Sequence, residues 1–201
     1  MLWRKSEMKS FLELAKKRKT TYEFSEKKVK NSDILKILEV ARWAPSCGNS
    51  QPWRFIVIQD EKIIERAVEG THFINFPFIN PLPHTIIAFV LYETLHAEKN
   101  ESVNTCTGSC SLHNPDHPLC VSMSAENAAL AAADIGLETC FITPIRENVS
   151  KILEVPKPHE VMLLLGLGYG KKKQTNINRE REKLDELIFY EKYGAKNEKT
   201  N

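Results

Sequence analysis

The longest uninterrupted apolar run in this chain is Ile86-Ile87-Ala88-Phe89-Val90-Leu91-Tyr92. Seven residues fall far short of the ~20 that a membrane-spanning helix needs. With Thr85 in front, the run reads as a buried strand, and a buried strand must have other elements packed on it. Three more segments read as strands: Trp53–Ile58, Leu137–Ile142 and Val161–Leu167. Between and before them the apolar spacing becomes helical. Phe11, Leu14, Ala15 and Arg18 share a helical stripe within 7–18. Ser32 is expected to cap a second helix, with Asp33 in its first turn and Ile34, Ile37, Leu38 and Ala41 on its buried face. Pro45 is expected to stop that helix. Lys62–Glu69 reads as a third. Ser124 is expected to cap the alanine-rich Ala125–Ile135, which closes at Gly136. Thr143-Pro144 is expected to open a short helix in the order cap, then Pro. The first two long elements are both helical and the βαβ rhythm is broken. The expected class is therefore α+β, a sheet covered by helices, and not a regular doubly wound fold.

Composition narrows the functional classes. The chain has 201 residues and a net charge of +2. This size suits one domain spanning 1–201. The charge is unevenly laid out: both ends are basic and the middle, 31–170, is acidic. That layout argues against a uniformly basic nucleic-acid surface, although each end could meet phosphate. No membrane partner is expected. Five cysteines in a chain this long do not make a disulfide scaffold, and the first residues lack the basic–apolar–small order of a secretory signal. A cytoplasmic protein is the expectation.

The common fingerprints are absent. There is no P-loop, no Gly-x-Ser-x-Gly elbow and no His-Glu-x-x-His. Gly166-x-Gly168-x-Gly170 leads into Lys171-Lys172-Lys173, so Gly168 is either a backbone nest for a phosphate or part of a plain strand exit. Two stretches carry more. Arg18-Lys19-Thr20-Thr21-Tyr22-Glu23-Phe24 gathers two cations and two hydroxyls just past a helix end. Such a group suits a phosphate and a polyol, or cations complementing a helix dipole. Ala44-Pro45-Ser46-Cys47-Gly48-Asn49-Ser50-Gln51-Pro52-Trp53 sets Ser, Asn and Gln between two prolines. A stiff loop of this kind can read the edge of a planar heterocycle rich in N and O atoms. Trp53 itself reads as core, Cys47 as a small space-filler and Cys140 as inert packing.

These stretches resemble the nitroreductase family of flavoenzymes. The resemblance runs through Arg18–Phe24, Ala41–Trp53 with its Pro-Ser-x-x-Asn-x-Gln-Pro-Trp block, and Glu126–Leu137. It continues through Leu167-Gly168-Tyr169 and Arg181-Glu182-Lys183-Leu184-Asp185-Glu186-Leu187. It implies a central, mostly antiparallel sheet flanked by helices, and a homodimer that exchanges its C-terminal tail, 171–201. It also implies FMN at the subunit interface. Arg18, Lys19 and Thr20 would hold the phosphate and ribityl chain, with Arg181 returning from the tail to the phosphate. Ser46, Asn49 and Gln51, in the loop with Pro45 and Cys47, would come from the other protomer. Thr143, Pro144 and Ile145 would pass near flavin N5. NADH or NADPH would give hydride to the flavin, and a small organic acceptor such as a nitroaromatic or quinone would take the electrons. No catalytic side chain is implied, because the chemistry lies on the flavin.

Two features depart from the pattern. Tyr22 stands where the family usually has Arg or Lys near the pyrimidine edge of the flavin, which removes a cation that would stabilise the anionic reduced form. Residues 97–121 match nothing in the pattern and take the position of the variable segment that roofs the flavin. Here Cys106, Cys110 and Cys120, with His113 or His117, leave three readings: a zinc or iron–sulfur site, a redox pair, or a substrate lid. No metal is assigned. Two further readings stay open for the whole chain: a non-redox flavin- or metal-binding sensor, and specialised flavin chemistry such as reductive dehalogenation.

Overall fold

In the computed structural model, which describes residues 11–72, 79–92, 116–171 and 180–195, the predicted central strand is Thr85–Leu91, buried at every position. It is the second strand, β2. The others are β1 (Trp53–Ile58), β3 (Glu138–Ile142) and β4 (Glu160–Gly168). They form one antiparallel sheet in the order β1-β2-β4-β3. Six helices accompany the sheet among the described residues: α1 (Phe11–Lys17), α2 (Asn31–Ala41), α3 (Glu61–Glu69), α4 (Asp116–Asp134), α5 (Arg146–Ile152) and α6 (Leu184–Leu187).

The two-residue period of β2 explains the layering. Ile87, Phe89 and Leu91 face one side and pack with Ile34, Ile37 and Ala41 of α2 and with Val121, Ala125, Ala128 and Ala132 of α4. Ile86, Ala88 and Val90 face the other side and pack with Ile64 and Ala67 of α3, Val149 of α5 and Phe24. One sheet thus divides two cores. A register shift between Phe89 and Val90 bends β2 against β4. Alanines on the buried face of α4 let that helix sit close to the sheet.

Several boundaries differ from the sequence reading, each for a physical reason. α4 begins at Asp116, eight residues before Ser124. Ser124 is no cap: it is buried within the helix, and its hydroxyl donates to the Ala41 carbonyl of α2 at 3.0 Å. His117 and Cys120 are buried residues of α4, while Leu119 between them is exposed. Cys106, Cys110 and His113 lie outside the described residues. α2 starts at Asn31 after Lys30, so Ser32 is inside the helix and no side chain caps it. The helix ends at Ala41, and turns at Trp43 and Ala44 come before Pro45. Pro144 pairs in an isolated bridge with Thr71, and the fifth helix starts two residues later at Arg146. The stripe on α1 is not a core face, since Phe11 is 71% exposed and no residue of the helix is buried. The closure of α4 is as expected: Gly136 has φ 86°, and Leu137 N–H reaches the Ala132 carbonyl at 2.8 Å.

Candidate functional site

The segment after α1 is stitched across one end of the sheet. Thr20 bridges Thr139 in parallel, and Thr21 N–H donates to the Thr139 carbonyl at 2.9 Å. Phe24 bridges Gly170, and Ser25 N–H donates to the Tyr169 carbonyl at 2.7 Å. Arg18, Lys19 and Thr20 are thereby fixed along the free edge of β3. Together with Lys17, Gly136 and Glu138, the two cations line a cleft of about 290 Å³.

The charges in this cleft are matched. Lys17 Nζ donates to the carbonyls of Ala133 and Asp134, where cations favour the C-terminal end of α4. Arg18 lies 3.9 Å from Glu126, and Lys19 lies 3.0 Å from Glu138. The Thr21 hydroxyl also donates to Glu138. Lys17, just ahead of the Arg18–Phe24 segment, meets the C-terminal end of α4, while Arg18 and Lys19 of the segment itself pair with Glu126 and Glu138. Glu126 and Glu138 were not singled out from the sequence. Glu126 was present in the quoted Glu126–Leu137 block, but nothing in the pattern marked Glu138.

The Pro45–Gln51 loop is tightly wound. Cys47–Asn49 make one 3-10 turn. Gly48, Asn49 and Gln51 have φ of 55°, 55° and 47°, the left-handed region that side chains other than glycine rarely adopt. The Ser46 hydroxyl oxygen accepts from Gln51 N–H at 3.0 Å, and Gln51 Nε2 donates to the Asn49 carbonyl at 3.3 Å. Ser50 Oγ is buried with no hydrogen-bond partner among the described residues. Just before the loop, Arg42 holds Glu39 through two bonds of 2.6 Å, and the Trp43 indole N–H adds a third at 3.1 Å. The Arg42 bonds, then the Trp43 bond, hold the Glu39 carboxyl below its ordinary range.

Thr143 is exposed at the end of β3, and Ile145 N–H donates to the Gly70 carbonyl at 3.1 Å. β3 thus links two candidate segments, with Arg18–Thr20 beside its start and Thr143–Ile145 after its end. At ~3.3 Å per residue, Thr139 and Thr143 are about 13 Å apart along it. The Pro45–Gln51 loop precedes β1 at the opposite edge, beyond β4 and β2. One chain does not bring that loop beside Arg18. Nor does Arg181 line the cleft; it is exposed on the tail, where Nη1 donates to the Glu180 carbonyl at 3.4 Å. Tyr22 packs against the Phe24 core cluster, and its carbonyl accepts from Asn80 N–H. Gly168 has a packing role: a Cβ there would meet the Phe24 ring at 2.9 Å.

The profile of the Nitroreductase family matches residues 15–85 and 115–169. The chain belongs to the Nitroreductase family. The matched stretches hold the cleft cations, the Pro45–Gln51 loop and Thr143–Ile145, but not Arg181, Cys106 or Cys110. A protein of Archaeoglobus fulgidus named for NADH dehydrogenase/NAD(P)H nitroreductase is 28% identical over 192 residues, 92% of this chain and 91% of that one. An iodotyrosine deiodinase of Nematostella vectensis is 24% identical over 210 residues, 92% of this chain and 76% of that one. The crystal structure of a nitroreductase family protein from Streptococcus pneumoniae superposes with a TM-score of 0.74 at 26% identity, covering 90% of this chain and all of the other. The α+β fold is thus the nitroreductase fold, as the sequence resemblance implied. No helix among the described residues is long and apolar enough to cross a membrane. Among the described residues no cluster of three His, Cys, Asp or Glu could hold a metal ion.

Proposed function

We propose that this chain is an FMN-dependent oxidoreductase, working as a homodimer, that takes hydride equivalents from NADH or NADPH and reduces a small organic acceptor. The observation that carries this reading is the pair of family-matched segments with complementary donor sets. One is the cationic edge of β3, and the other is the polar, left-handed Pro45–Gln51 loop.

The residues present fit the cofactor. Arg18 and Lys19 suit a phosphate dianion, and Thr20 suits a polyol hydroxyl. Ser50 Oγ is buried with hydrogen-bonding capacity unspent among the described residues, as expected of a group reserved for a ligand. Bound flavin would supply hydride and electron transfer; the protein's part is to bind, orient and exclude water. On this reading Arg18 and Lys19 exchange part of their pairing with Glu126 and Glu138 for phosphate. Arg181 joins them in the dimer, and Asn49 and Gln51 reach the flavin from the partner subunit. Thr143–Ile145 border the reacting edge. Leu184 and Leu187, 71% and 61% exposed in one chain, would be covered by the second subunit. Five cysteines in a chain of this length suit a reducing compartment, the cytoplasm.

A second reading, reductive dehalogenation of an aromatic substrate, is favoured by the similarity to iodotyrosine deiodinases along 92% of the chain. One experiment addresses both. Purified protein is titrated with FMN, then reduced anaerobically by each nucleotide and offered nitroarene, quinone and iodophenol acceptors. Saturable FMN binding with nitroarene or quinone turnover supports the first reading. Turnover confined to the iodophenol supports the second. Failure to bind FMN ends both.

A further inference from the structure

The Pro45–Gln51 loop is held in its unfavourable conformation, and the clamp is visible. Arg54, in β1, turns its guanidinium back: Nη1 donates to the Trp53 carbonyl at 2.7 Å and to the Gln51 carbonyl at 3.4 Å. The same guanidinium lies over the Tyr92 ring, 3.9 Å from its centroid. Tyr92 in turn stacks on His159, with centroids 4.3 Å apart and planes at 27°. Sheet register builds this stack. Arg54 pairs with Val90, so Tyr92 is its diagonal neighbour on the same face. Leu91 pairs with Glu160, so Tyr92 and His159 are the next residues out. Tyr92 N–H also donates to the Pro52 carbonyl at 2.9 Å, tying β2 to the end of the loop.

We propose that Arg54 is a positioning residue for the cofactor-facing loop. Its guanidinium, packed on Tyr92 and backed by His159, holds the Gln51 peptide in the left-handed conformation that presents Asn49 and Gln51. Left-handed residues other than glycine are strained and persist only where their surroundings over-determine them. Here Ser46 fixes the N–H of Gln51 and Arg54 fixes its C=O. A planar guanidinium both stacks and forks its hydrogen bonds, which a lysine ammonium cannot do. The inference rests on the proposed function for what the loop faces, but not for the clamp itself.

The test separates the two. Amide hydrogen exchange at Gln51 is followed in the full-length protein for wild type, Arg54→Ala, Tyr92→Leu and Tyr92→Phe. FMN dissociation constants and the visible spectrum of bound flavin are measured alongside. The expected result is Gln51 exchange at least tenfold faster in Arg54→Ala and Tyr92→Leu, with the β2 amides unchanged. FMN binding should weaken about tenfold with a shifted flavin spectrum, and Tyr92→Phe should match wild type in every readout. Gln51 exchange unaltered in Arg54→Ala overturns the clamp, as does an acceleration shared equally by the β2 amides. Equal FMN affinity and spectrum in wild type and Arg54→Ala overturn the positioning role. Wild type that binds no flavin overturns the proposed function, while the exchange data still decide the clamp. Should Arg54→Ala fail to fold, Tyr92→Leu against Tyr92→Phe carries the same decision.

Discussion

Arg18 is the less exposed partner of its ion pair. Its side chain is 17% exposed, with Glu126 as the counter-ion at 3.9 Å. A hydrogen bond to a charged group contributes about 1.5–3 kcal/mol, or roughly 10- to 150-fold in affinity. Arg18→Ala is therefore expected to weaken FMN binding within that range, read by calorimetric titration. Arg181→Ala should weaken it to a similar extent. Unchanged affinity in both variants would remove the phosphate assignment. Gly168 makes a different kind of prediction. A methyl at this position would press on the ring of fully buried Phe24, which has no space to retreat. Gly168→Ala should cost about 1–3 kcal/mol in denaturant unfolding, the usual range for overpacking. From the sequence, Gly168 is open between a phosphate nest and a plain strand exit. What the sequence could not show was a ring, 144 positions earlier in the chain, filling the space the glycine leaves.

Elements were legible where one periodicity ran unbroken and illegible where a tertiary contact set the boundary. Trp53–Ile58 was read correctly to the residue, because turn residues bound it on both sides. α4 was misjudged because Ser124 resembles a cap. A buried hydroxyl that bonds to another helix has the same sequence appearance as one that ends its own. α3 shows the reverse case. Its real cap is Asp60, whose carboxylate accepts from Ile63 N–H at 3.0 Å, and it was overlooked one residue ahead of the helix. Asp60→Ala should cost about 1 kcal/mol by chemical denaturation, while Asp60→Ser should retain most of that. At the candidate site, Arg18–Thr20 and Thr143–Ile145 could be named from the resemblance. Glu126, Glu138 and the Arg54–Tyr92–His159 stack could not. Glu138 and the stack depend on strand register, which alternation within one strand does not specify, and Glu126 depends on how α4 packs beside Arg18.

For the molecule as a whole, large apolar side chains are exposed on several elements. Leu35, Val40 and Trp43 crown α2, Leu119 and Met123 mark the first half of α4, and Leu184, Leu187 and Tyr193 line the tail. The proposed homodimer would cover part of this surface. Light scattering should give a species of twice 23.0 kDa. A chain ending at residue 179 should shift toward the monomer and lose FMN affinity together. A full-length monomer that binds FMN normally would contradict the proposed exchange of tails. The strand order has a separate consequence, for synthesis. Among the described residues β4 is the last strand to be translated, yet it sits between β2 and β3. β1 and β2 can pair as soon as both are made. β3 then lacks its strand neighbour, and the inner edge of β2 stays open, until residue 168 has been added. Those 77 residues beyond Leu91 take about 4–15 s at the usual ~5–20 residues per second. For that interval a newborn chain exposes the unpaired N–H and C=O groups of a strand rich in apolar side chains, an edge open to pairing with other chains.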